Sequence, residues 1–298
     1  MLILAVDFGN TTLKAALFEN EELLEVRYSL STTDVKQWIN NIEKDNVRIL
    51  KGIMISSVRK NEEVELAFVK ELQQSQSSSS KLIIKSEANR KNIATESKEI
   101  SVVVLDENTP LPITNAYKTP KTLGKDRLAA VIGAYFLNEN SLHQPTLVID
   151  AGTCITYDFI NTNLEQKKGI YKGGSISLGL QMRFKSLHHF TANLPLFEPK
   201  ETLPTPVGQT TEEAMQSGVQ FGLMAEIKGI IDFYQYQNNE LNVVVCGGDA
   251  THLKKWWQEY TTQLTGTTHS YKEWTIEPNL VLIGLQRIFQ FIKNNEDN

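Results

Sequence analysis

The chain has 298 residues and a formal net charge of −5 at pH 7. At roughly 150 residues per domain this length predicts about two domains, and the acidic balance argues against a surface built to neutralise nucleic-acid phosphates. The apolar opening segment lacks the basic start of a signal peptide, and no stretch reaches the roughly 18 apolar residues of a membrane span, so we expect a cytoplasmic protein without nucleic-acid or membrane partners.

The first half of the chain predicts a sheet covered by helices. Its predicted elements are an antiparallel meander of strands at residues 2–6, 11–18 and 23–30, then a helix at 33–44, a strand at 47–58, a helix at 61–74, a strand at 81–85 and an apolar helix at 128–137. Strands that alternate with helices favour parallel pairing in the later part of this sheet.

The second half begins as the first one does. Residues 147–153, LVIDAGT, repeat residues 4–10, LAVDFGN, so that Asp7 and Asp150 are 143 residues apart, as are Gly9 and Gly152. An interval this long indicates a duplicated domain rather than a solenoid, whose repeats are about 20 to 50 residues long. We predict two lobes, at residues 1–118 and 119–298.

The elements predicted for the second half follow the repeated turn. They are strands at 154–160 and 168–171, a Gly-rich turn at Gly173-Gly174, helices at 179–190 and 210–236, a strand at 242–246, and helices at 250–260 and 278–293. Cys154 and Cys246 have no metal-type spacing and are expected to be buried, reduced thiols. Trp256 and Trp257 are expected on a packed helix face.

Each repeat places an aspartate at the end of an apolar strand and a glycine two residues later. The glycine lets the backbone approach a phosphate closely, and the carboxylate can hold a hydrated Mg²⁺ beside it. A single turn of this kind is also typical of an ordinary hairpin. Its duplication favours a pair of turns that bind a polyphosphate.

A third glycine turn follows the apolar strand at 242–246. Gly247, Gly248 and Asp249 lead directly into a predicted helix, an arrangement that presents backbone N–H groups at a strand end, where nucleotides bind in α/β proteins. The alternative is a structural turn capped by Asp249. The chain lacks the glycine-rich P-loop pattern and the dinucleotide-binding fingerprint, so neither of those nucleotide folds is predicted.

The two phosphate turns and the third glycine turn together resemble the acetate and sugar kinase, chaperone ATPase and actin superfamily. Further motifs narrow the resemblance: Tyr117-x-x-Pro120-x-x-Leu123-Gly124-Lys125-Asp126-Arg127, Gly173-Gly174-Ser175-Ile176 and Thr191-Ala192-Asn193-Leu194-Pro195. The order of these motifs along the chain resembles that of the type III pantothenate kinase family. The resemblance extends from Asp7 to Ala250. One departure is Leu178, where that family usually has proline.

The resemblance implies a fold and an activity. The fold is α/β, with duplicated actin-like (ribonuclease H-like) domains, each a mixed five-stranded sheet flanked by helices, and an interdomain cleft. The activity is ATP-dependent phosphorylation of the primary hydroxyl of pantothenate to 4′-phosphopantothenate, the first step of coenzyme A biosynthesis.

The resemblance also implies roles for individual residues. Asp126 is the expected general base, and Arg127 the expected partner of the pantothenate carboxylate. Tyr117, Gly124, Lys125 and Thr211 are expected to bind pantothenate, although Thr210 is the alternative to Thr211. The expected ATP-binding residues are Asp7, Phe8, Gly9, Asn10, Thr11, Thr12, Leu13, Lys14, Thr153, Gly247 and Gly248.

Cofactors and assembly follow from the same resemblance. Asp7 is the expected organiser of Mg²⁺, and Asp150 the expected ligand of a monovalent cation, K⁺ or NH₄⁺. The family implies a homodimer with the substrate pocket at the subunit interface. The apolar helix after Arg127 is a candidate for the dimer contact, and ordinary core packing is its alternative.

Two other functions remain open from the sequence. One is a kinase of the same superfamily that acts on acetate, a sugar or N-acetylglucosamine. The other is a regulatory relative that binds nucleotide without turnover. The Asp126-Arg127 pair argues against the first, since it provides a base and a carboxylate-binding group together. The presence of Asp7, Asp126, Arg127 and Asp150 argues against the second.

Overall fold

The computed structural model describes residues 1–9, 12–44, 49–57, 67–72, 80–84, 98–137, 144–163, 168–238, 240–266 and 273–296. The chain divides into two compact units. The first comprises Met1–Leu137 and Leu280–Asn298, and the second comprises Asn138–Asn279. No helix among these described residues combines the length and apolar character needed to cross a membrane.

Twelve strands and eight helices can be followed through the described residues. The strands are β1 (Leu2–Phe8), β2 (Leu13–Glu19), β3 (Glu22–Leu30), β4 (Leu50–Ser57), β5 (Ser80–Ile84), β6 (Lys98–Val104), β7 (Thr114–Asn115), β8 (Thr146–Ala151), β9 (Cys154–Asn163), β10 (Lys168–Leu178), β11 (Asn242–Cys246) and β12 (Thr275–Ile276). The helices are α1 (Thr32–Lys44), α2 (described over 67–72), α3 (Lys125–Phe136), α4 (Leu180–Phe190), α5 (Thr211–Gln216), α6 (Gly222–Gln237), α7 (Ala250–Thr265) and α8 (Leu280–Glu296).

The sheet of the first unit has the order β3-β2-β1-β4-β6-β5. β1 pairs antiparallel with β2 and parallel with β4, and each of its seven residues is buried, as expected for a strand covered on both faces. The sequence predicted five strands here. The strand that was not predicted is β6, which pairs parallel with β4 on one side and with β5 on the other.

The second unit repeats this topology. Its strands have the order β12-β11-β8-β9-β10, with β8 antiparallel to β9 and parallel to β11. β8 therefore has the neighbours that β1 has in the first unit. The duplication predicted from residues 4–10 and 147–153 is confirmed by this shared strand order, as is the mixed sheet flanked by helices.

The C-terminal helix α8 packs on α3, in the first unit. A Cβ atom on Gly284 would lie 1.8 Å from the Ala129 carbonyl oxygen, and one on Gly133 would lie 2.2 Å from the Leu280 carbonyl oxygen. The two helices thus touch through their backbones. This contact explains why the observed division differs from the predicted boundary at 118/119, which assigned both helices to the second lobe.

The helix after Arg127 is packed within the chain. All eight residues at positions 127–134 are buried, and its glycine contact with α8 accounts for part of that burial. This packing supports the ordinary-core interpretation of the helix.

The second unit differs from the sequence prediction at the glycine pair and in the long helix, and it also contains the short strand β12. Gly173 and Gly174 lie inside β10 rather than in a turn that ends it, because Gly173 adopts a φ of 100° at a β-bulge. The predicted helix at 210–236 is divided into α5 and α6 by a π-helical turn at Ser217–Phe221.

The remaining expectations concern buried side chains of the second unit. Trp256 and Trp257 are buried as predicted, and Trp257 stacks on Trp274 with 4.6 Å between ring centroids. Both cysteines are free thiols. Cys246 is buried, but Cys154 is partly exposed because it directly follows the turn after β8.

Candidate active site

The first acidic turn is organised around Asp7, near the end of β1. Asp7 pairs with Lys14 on the antiparallel neighbour β2 and with Ser56 on the parallel neighbour β4. The Ser56 hydroxyl donates a 2.5 Å hydrogen bond to Asp7 Oδ1, and only 6% of Asp7 is exposed. The carboxylate is therefore held in one orientation at the carboxyl end of the strand.

Burial raises the pKa of Asp7 from its usual 3.8 to about 6. The hydrogen bond from Ser56 and the charge of Lys14 oppose this rise, whereas the negative charge of Asp126 adds to it. Asp7 and Asp126 are therefore close enough for their charges to interact, although 119 positions separate them in the sequence. The predicted catalytic carboxylate and the predicted phosphate-binding carboxylate therefore lie within range of each other's charge in the first unit.

The residues around Asp7 divide into core and turn. Phe8 and Leu13 are buried, and Phe8 makes an edge contact with Phe68 at 5.6 Å between ring centroids. Their side chains pack in the core, so any contact with a nucleotide involves their backbone.

The turn itself contains Gly9 and Thr12, both partly exposed. Lys14 is partly exposed as well. The predicted phosphate contacts Asn10 and Thr11 lie outside the described residues.

The second part of the first-unit site is the N-terminus of α3. Gly124 is the N-cap residue, and the Arg127 backbone N–H donates a 2.7 Å hydrogen bond to Asp126 Oδ1. A Cβ at position 124 would lie 2.6 Å from that same oxygen. Glycine therefore leaves room for the Asp126 carboxylate, whose negative charge the helix dipole stabilises.

Arg127 lies one residue further along α3 and is only 6% exposed. Its guanidinium carbon lies 5.8 Å from the ring centroid of Tyr117, within the range of a cation–π contact. Lys125 is partly exposed at the start of the same helix. The structure thus brings Tyr117, Gly124, Asp126 and Arg127 together, as the sequence predicted.

The second acidic turn follows β8. Asp150 pairs with Thr156 on β9 and Cys246 on β11. Gly152 donates its N–H to the Cys154 carbonyl oxygen at 3.0 Å, which closes a turn that leaves Thr153 exposed.

The third glycine turn packs against this second acidic turn. Gly247 has a φ of 91°, and a Cβ there would lie 2.3 Å from the Ala151 carbonyl oxygen and 2.5 Å from Asp150 Oδ1. The Asp249 N–H donates to the same Ala151 oxygen at 3.0 Å. Gly248 is exposed beside it. The predicted ATP residues of the second unit thus lie on adjoining backbone segments.

Asp249 is the N-cap residue of α7, but its side chain makes no capping hydrogen bond. The structural alternative, a turn capped by the Asp249 carboxylate, is therefore not what the structure has. Burial raises the pKa of Asp249, and the charge of His252 opposes that rise.

The two threonines at the start of α5 have different environments. The Thr210 hydroxyl accepts a 3.2 Å hydrogen bond from the Glu213 N–H, and Glu213 in turn accepts one from the Gln209 N–H at 2.8 Å. Thr210 thus caps the helix through its hydroxyl, and Glu213 binds the N–H of the residue that precedes the cap. Thr211 is the exposed first residue of the helix. The structure therefore assigns the helix cap to Thr210.

Sequence reasoning missed Ser56, which fixes Asp7, and Gly179, which packs against the second acidic turn. Ser56 follows the apolar core of β4, and strand pairing alone brings it to Asp7. A polar residue at the carboxyl end of a predicted parallel strand was the available signal. Gly179 gave none beyond its place in the glycine-rich motif.

The acidic side chains are compatible with a Mg²⁺ ion that is coordinated mainly by the phosphate oxygens of a bound nucleotide. Among the described residues, no group of three or more histidine, cysteine, aspartate or glutamate side chains is placed to form a metal site. Mg²⁺ in phosphate-transfer sites keeps several waters and takes one or two carboxylates plus phosphate oxygens. A single buried carboxylate beside a glycine turn, as at Asp7, is compatible with that coordination.

The duplicated mixed sheets, with an acidic turn after the first strand of each, define the actin-like class of nucleotide-dependent phosphotransferases and ATPases. The chain belongs to the type III pantothenate kinase family, whose model matches residues 3–232. It is 34% identical to a type III pantothenate kinase of Azobacteroides pseudotrichonymphae genomovar. CFP2 over 293 residues, covering 98% of each chain.

Other comparisons agree with this assignment. A type III pantothenate kinase of Christiangramia forsetii is 37% identical over 252 residues, which are 84% of this chain and 87% of the relative. In fold, the chain resembles the Lmo2764 protein of Listeria monocytogenes, described as a candidate N-acetylmannosamine kinase, with a TM-score of 0.51. That likeness has 13% sequence identity, covers 100% of each chain and concerns the fold alone.

Proposed function

We propose that this protein transfers the γ-phosphoryl group of ATP to the primary hydroxyl of pantothenate, forming 4′-phosphopantothenate for coenzyme A biosynthesis. The observation that carries the proposal is the placement in the first unit of the buried Asp7 carboxylate, held by Ser56, and of Asp126 at the N-terminus of α3, with Arg127 next to it. Family membership supports the choice of pantothenate.

Asp126 is the proposed general base. Its carboxylate accepts the hydroxyl proton while the hydroxyl oxygen bonds to the γ-phosphorus, and the bond from that phosphorus to the β–γ bridging oxygen breaks to leave ADP. Phosphoryl transfer depends mainly on positioning and on neutralising charge. The short hydrogen bond from the Arg127 N–H keeps the carboxylate oriented at the helix N-terminus.

Asp7 and its turn are the proposed binding site for the triphosphate in the first unit. Bound Mg²⁺ would offset part of the triphosphate charge. Asp7 is mostly ionised above its pKa of about 6, and a cation beside it lowers that pKa further. The backbone of Phe8, Gly9 and Leu13 and the side chains of Asn10, Thr11, Thr12 and Lys14 are proposed as the other contacts.

The second unit supplies the remaining proposed nucleotide contacts. Thr153 is exposed on its turn, and Gly247 and Gly248 adjoin that turn through Ala151. Asp150 is the proposed ligand of a monovalent cation, K⁺ or NH₄⁺. Its Oδ1 atom faces Gly247, where only a glycine leaves it space.

Arg127 is the proposed partner of the pantothenate carboxylate, with Tyr117, Gly124, Lys125 and Thr211 as further contacts. Replacing Arg127 with lysine should raise the KM for pantothenate by on the order of tenfold, because lysine cannot form a bidentate pair with a carboxylate. Steady-state kinetics at saturating ATP measure this. Arg27→Lys, in an exposed ion pair with Glu25, is the matched control, and an unchanged KM in Arg127→Lys contradicts the role.

The cation role of Asp150 predicts a salt dependence. Turnover should be faster in K⁺ or NH₄⁺ than in Na⁺ at equal ionic strength, and Asp150→Asn should reduce that difference because the neutral amide binds a cation more weakly. Initial rates in the three chloride salts measure the effect. Equal rates of the parent protein in all three salts would rule the site out.

A cytoplasmic homodimer with the pantothenate pocket at its interface is part of the proposal. The support for both is family membership. Sedimentation of the purified protein tests the dimer.

Direct detection of phosphopantothenate tests the activity. Purified protein is incubated with ATP, Mg²⁺, K⁺ and pantothenate, and parallel reactions contain acetate, glucose or N-acetylglucosamine as acceptor. Phosphopantothenate as the main product is the expected result. Preference for another acceptor would instead indicate a different kinase of the superfamily, and nucleotide binding without turnover of any acceptor would indicate a regulatory protein.

A further inference from the structure

The second acidic turn, which contains Gly152 and Thr153, packs against Gly179, the residue that precedes α4. A Cβ atom on Gly179 would lie 2.2 Å from the Thr153 carbonyl oxygen and 2.4 Å from that of Gly152. Both atoms belong to the backbone, so they cannot move aside as a flexible side chain does. The position of the chain at Leu178 and Gly179 therefore constrains the position of the turn.

Arg183, one turn into α4, holds that part of the chain. Its Nε atom donates a 2.9 Å hydrogen bond to the Leu178 carbonyl oxygen, and its Nη2 atom donates one of 2.9 Å to the Ser177 hydroxyl. Its backbone N–H donates to the Gly179 carbonyl oxygen at 3.1 Å. The arginine side chain thus binds two successive residues behind the turn, and the backbone bond to Gly179 begins the helix.

Glu226 on α6 orients the Arg183 guanidinium. Arg183 Nη2 lies 2.6 Å from Glu226 Oε2, and the Tyr157 hydroxyl donates a 2.8 Å hydrogen bond to Oε1. The side chains of Arg183 and Glu226 are only 18% and 27% exposed, so water screens the pair less than it screens a surface pair. Burial alone would raise the pKa of Glu226, but the hydrogen bonds from Arg183 and Tyr157 hold it below its usual range.

These contacts form a continuous path from α6 to the second acidic turn. Tyr157 and Glu226 fix Arg183, Arg183 fixes Ser177 and Leu178, and Gly179 contacts the backbone of Gly152 and Thr153. We propose that Arg183 is a positioning residue for nucleotide binding, which acts by holding the turn that presents Thr153. This inference rests on the proposed function, since it takes that turn to be part of the ATP site.

The test is nucleotide affinity in the absence of pantothenate. Titration calorimetry with adenylyl imidodiphosphate and Mg²⁺ should give a Kd about tenfold weaker for Arg183→Lys than for the parent, because misplacing a binding group by a fraction of an ångström is costly. Lysine keeps the charge beside Glu226 but cannot also bind Leu178 and Ser177. The KM for ATP should rise equally, and the KM for pantothenate should stay within twofold.

Asp232→Asn provides the matched control, because it breaks the ion pair with Lys228 on the same helix α6 and should leave the Kd unchanged. Tyr157→Phe removes one hydrogen bond to Glu226 and should also raise the Kd, by a smaller factor than Arg183→Lys does. This second variant tests the proposal if Arg183→Lys fails to fold. A Kd within twofold of the parent in both variants overturns the proposal. So does a parallel loss of nucleotide and pantothenate affinity, which indicates a general structural role.

Failure of the proposed function is distinguishable from failure of this inference. A parent protein that binds the nucleotide analogue but does not phosphorylate pantothenate refutes the proposed function. The Arg183 variants then still test the positioning role of Arg183. A parent protein that does not bind the analogue refutes both.

Discussion

Replacing Asp126 with asparagine should lower kcat by on the order of 10²-fold or more, the usual contribution of a general base. Asparagine keeps an oxygen that can accept the hydrogen bond from the Arg127 N–H, but it cannot take up the hydroxyl proton. The KM for ATP should change little, because Asp126 is not a proposed nucleotide contact. Measurement of kcat and both KM values, with thermal unfolding as a check on the fold, tests this.

The matched control for Asp126→Asn is Glu107→Gln, which removes an exposed carboxylate of the same unit and should leave kcat unchanged. Turnover of Asp126→Asn within a few-fold of the parent would remove Asp126 from the role of base.

A second readout is available because Asp126 raises the pKa of Asp7. Loss of the Asp126 charge should therefore lower the pKa of Asp7.

Replacing Asp7 with asparagine should stabilise the metal-free protein above pH 6 while abolishing most of its activity. Folding raises the pKa of Asp7 from 3.8 to about 6. Between these values the folded state retains a proton that the unfolded state has lost, so this residue makes the free energy of unfolding fall as pH rises. The rise in pKa corresponds to about 3 kcal/mol of the free energy of unfolding, and this contribution is fully lost above pH 6.

Urea unfolding of both proteins between pH 4 and pH 8, in buffer without Mg²⁺ or nucleotide, measures the difference. It should be small near pH 4 and approach about 3 kcal/mol in favour of Asp7→Asn above pH 7. The amide oxygen that this substitution introduces can still accept the hydrogen bond from the Ser56 hydroxyl. A difference that does not vary with pH contradicts the assignment.

Asp34→Asn is the control of opposite sign. Hydrogen bonds from the Ser31 hydroxyl and backbone N–H at the start of α1 lower the pKa of Asp34. The stability that Asp34 contributes is present above the unfolded pKa and is lost as pH falls through the lowered one. Asp34→Asn should therefore be less stable than the parent at neutral pH.

The sequence by itself determined the duplication and most of the elements, although it missed β6 and placed a turn inside β10. Apolar strands that end in Asp7-Phe8-Gly9 and Asp150-Ala151-Gly152 have a local signature, because alternation between strand, turn and glycine depends on neighbours in the chain. The grouping of Gly124, Asp126 and Arg127 at a helix start was predictable for the same reason.

Tertiary structure alone decided which distant residues meet. Ser56 reaches Asp7 because β4 pairs in register with β1, and α8 packs closely on α3 where Gly133 and Gly284 let the two backbones touch. The Arg183–Glu226 pair likewise joins helices that 32 positions of chain separate. Such contacts depend on strand register and on the space left by small residues, and the local sequence does not specify which distant residue is the partner.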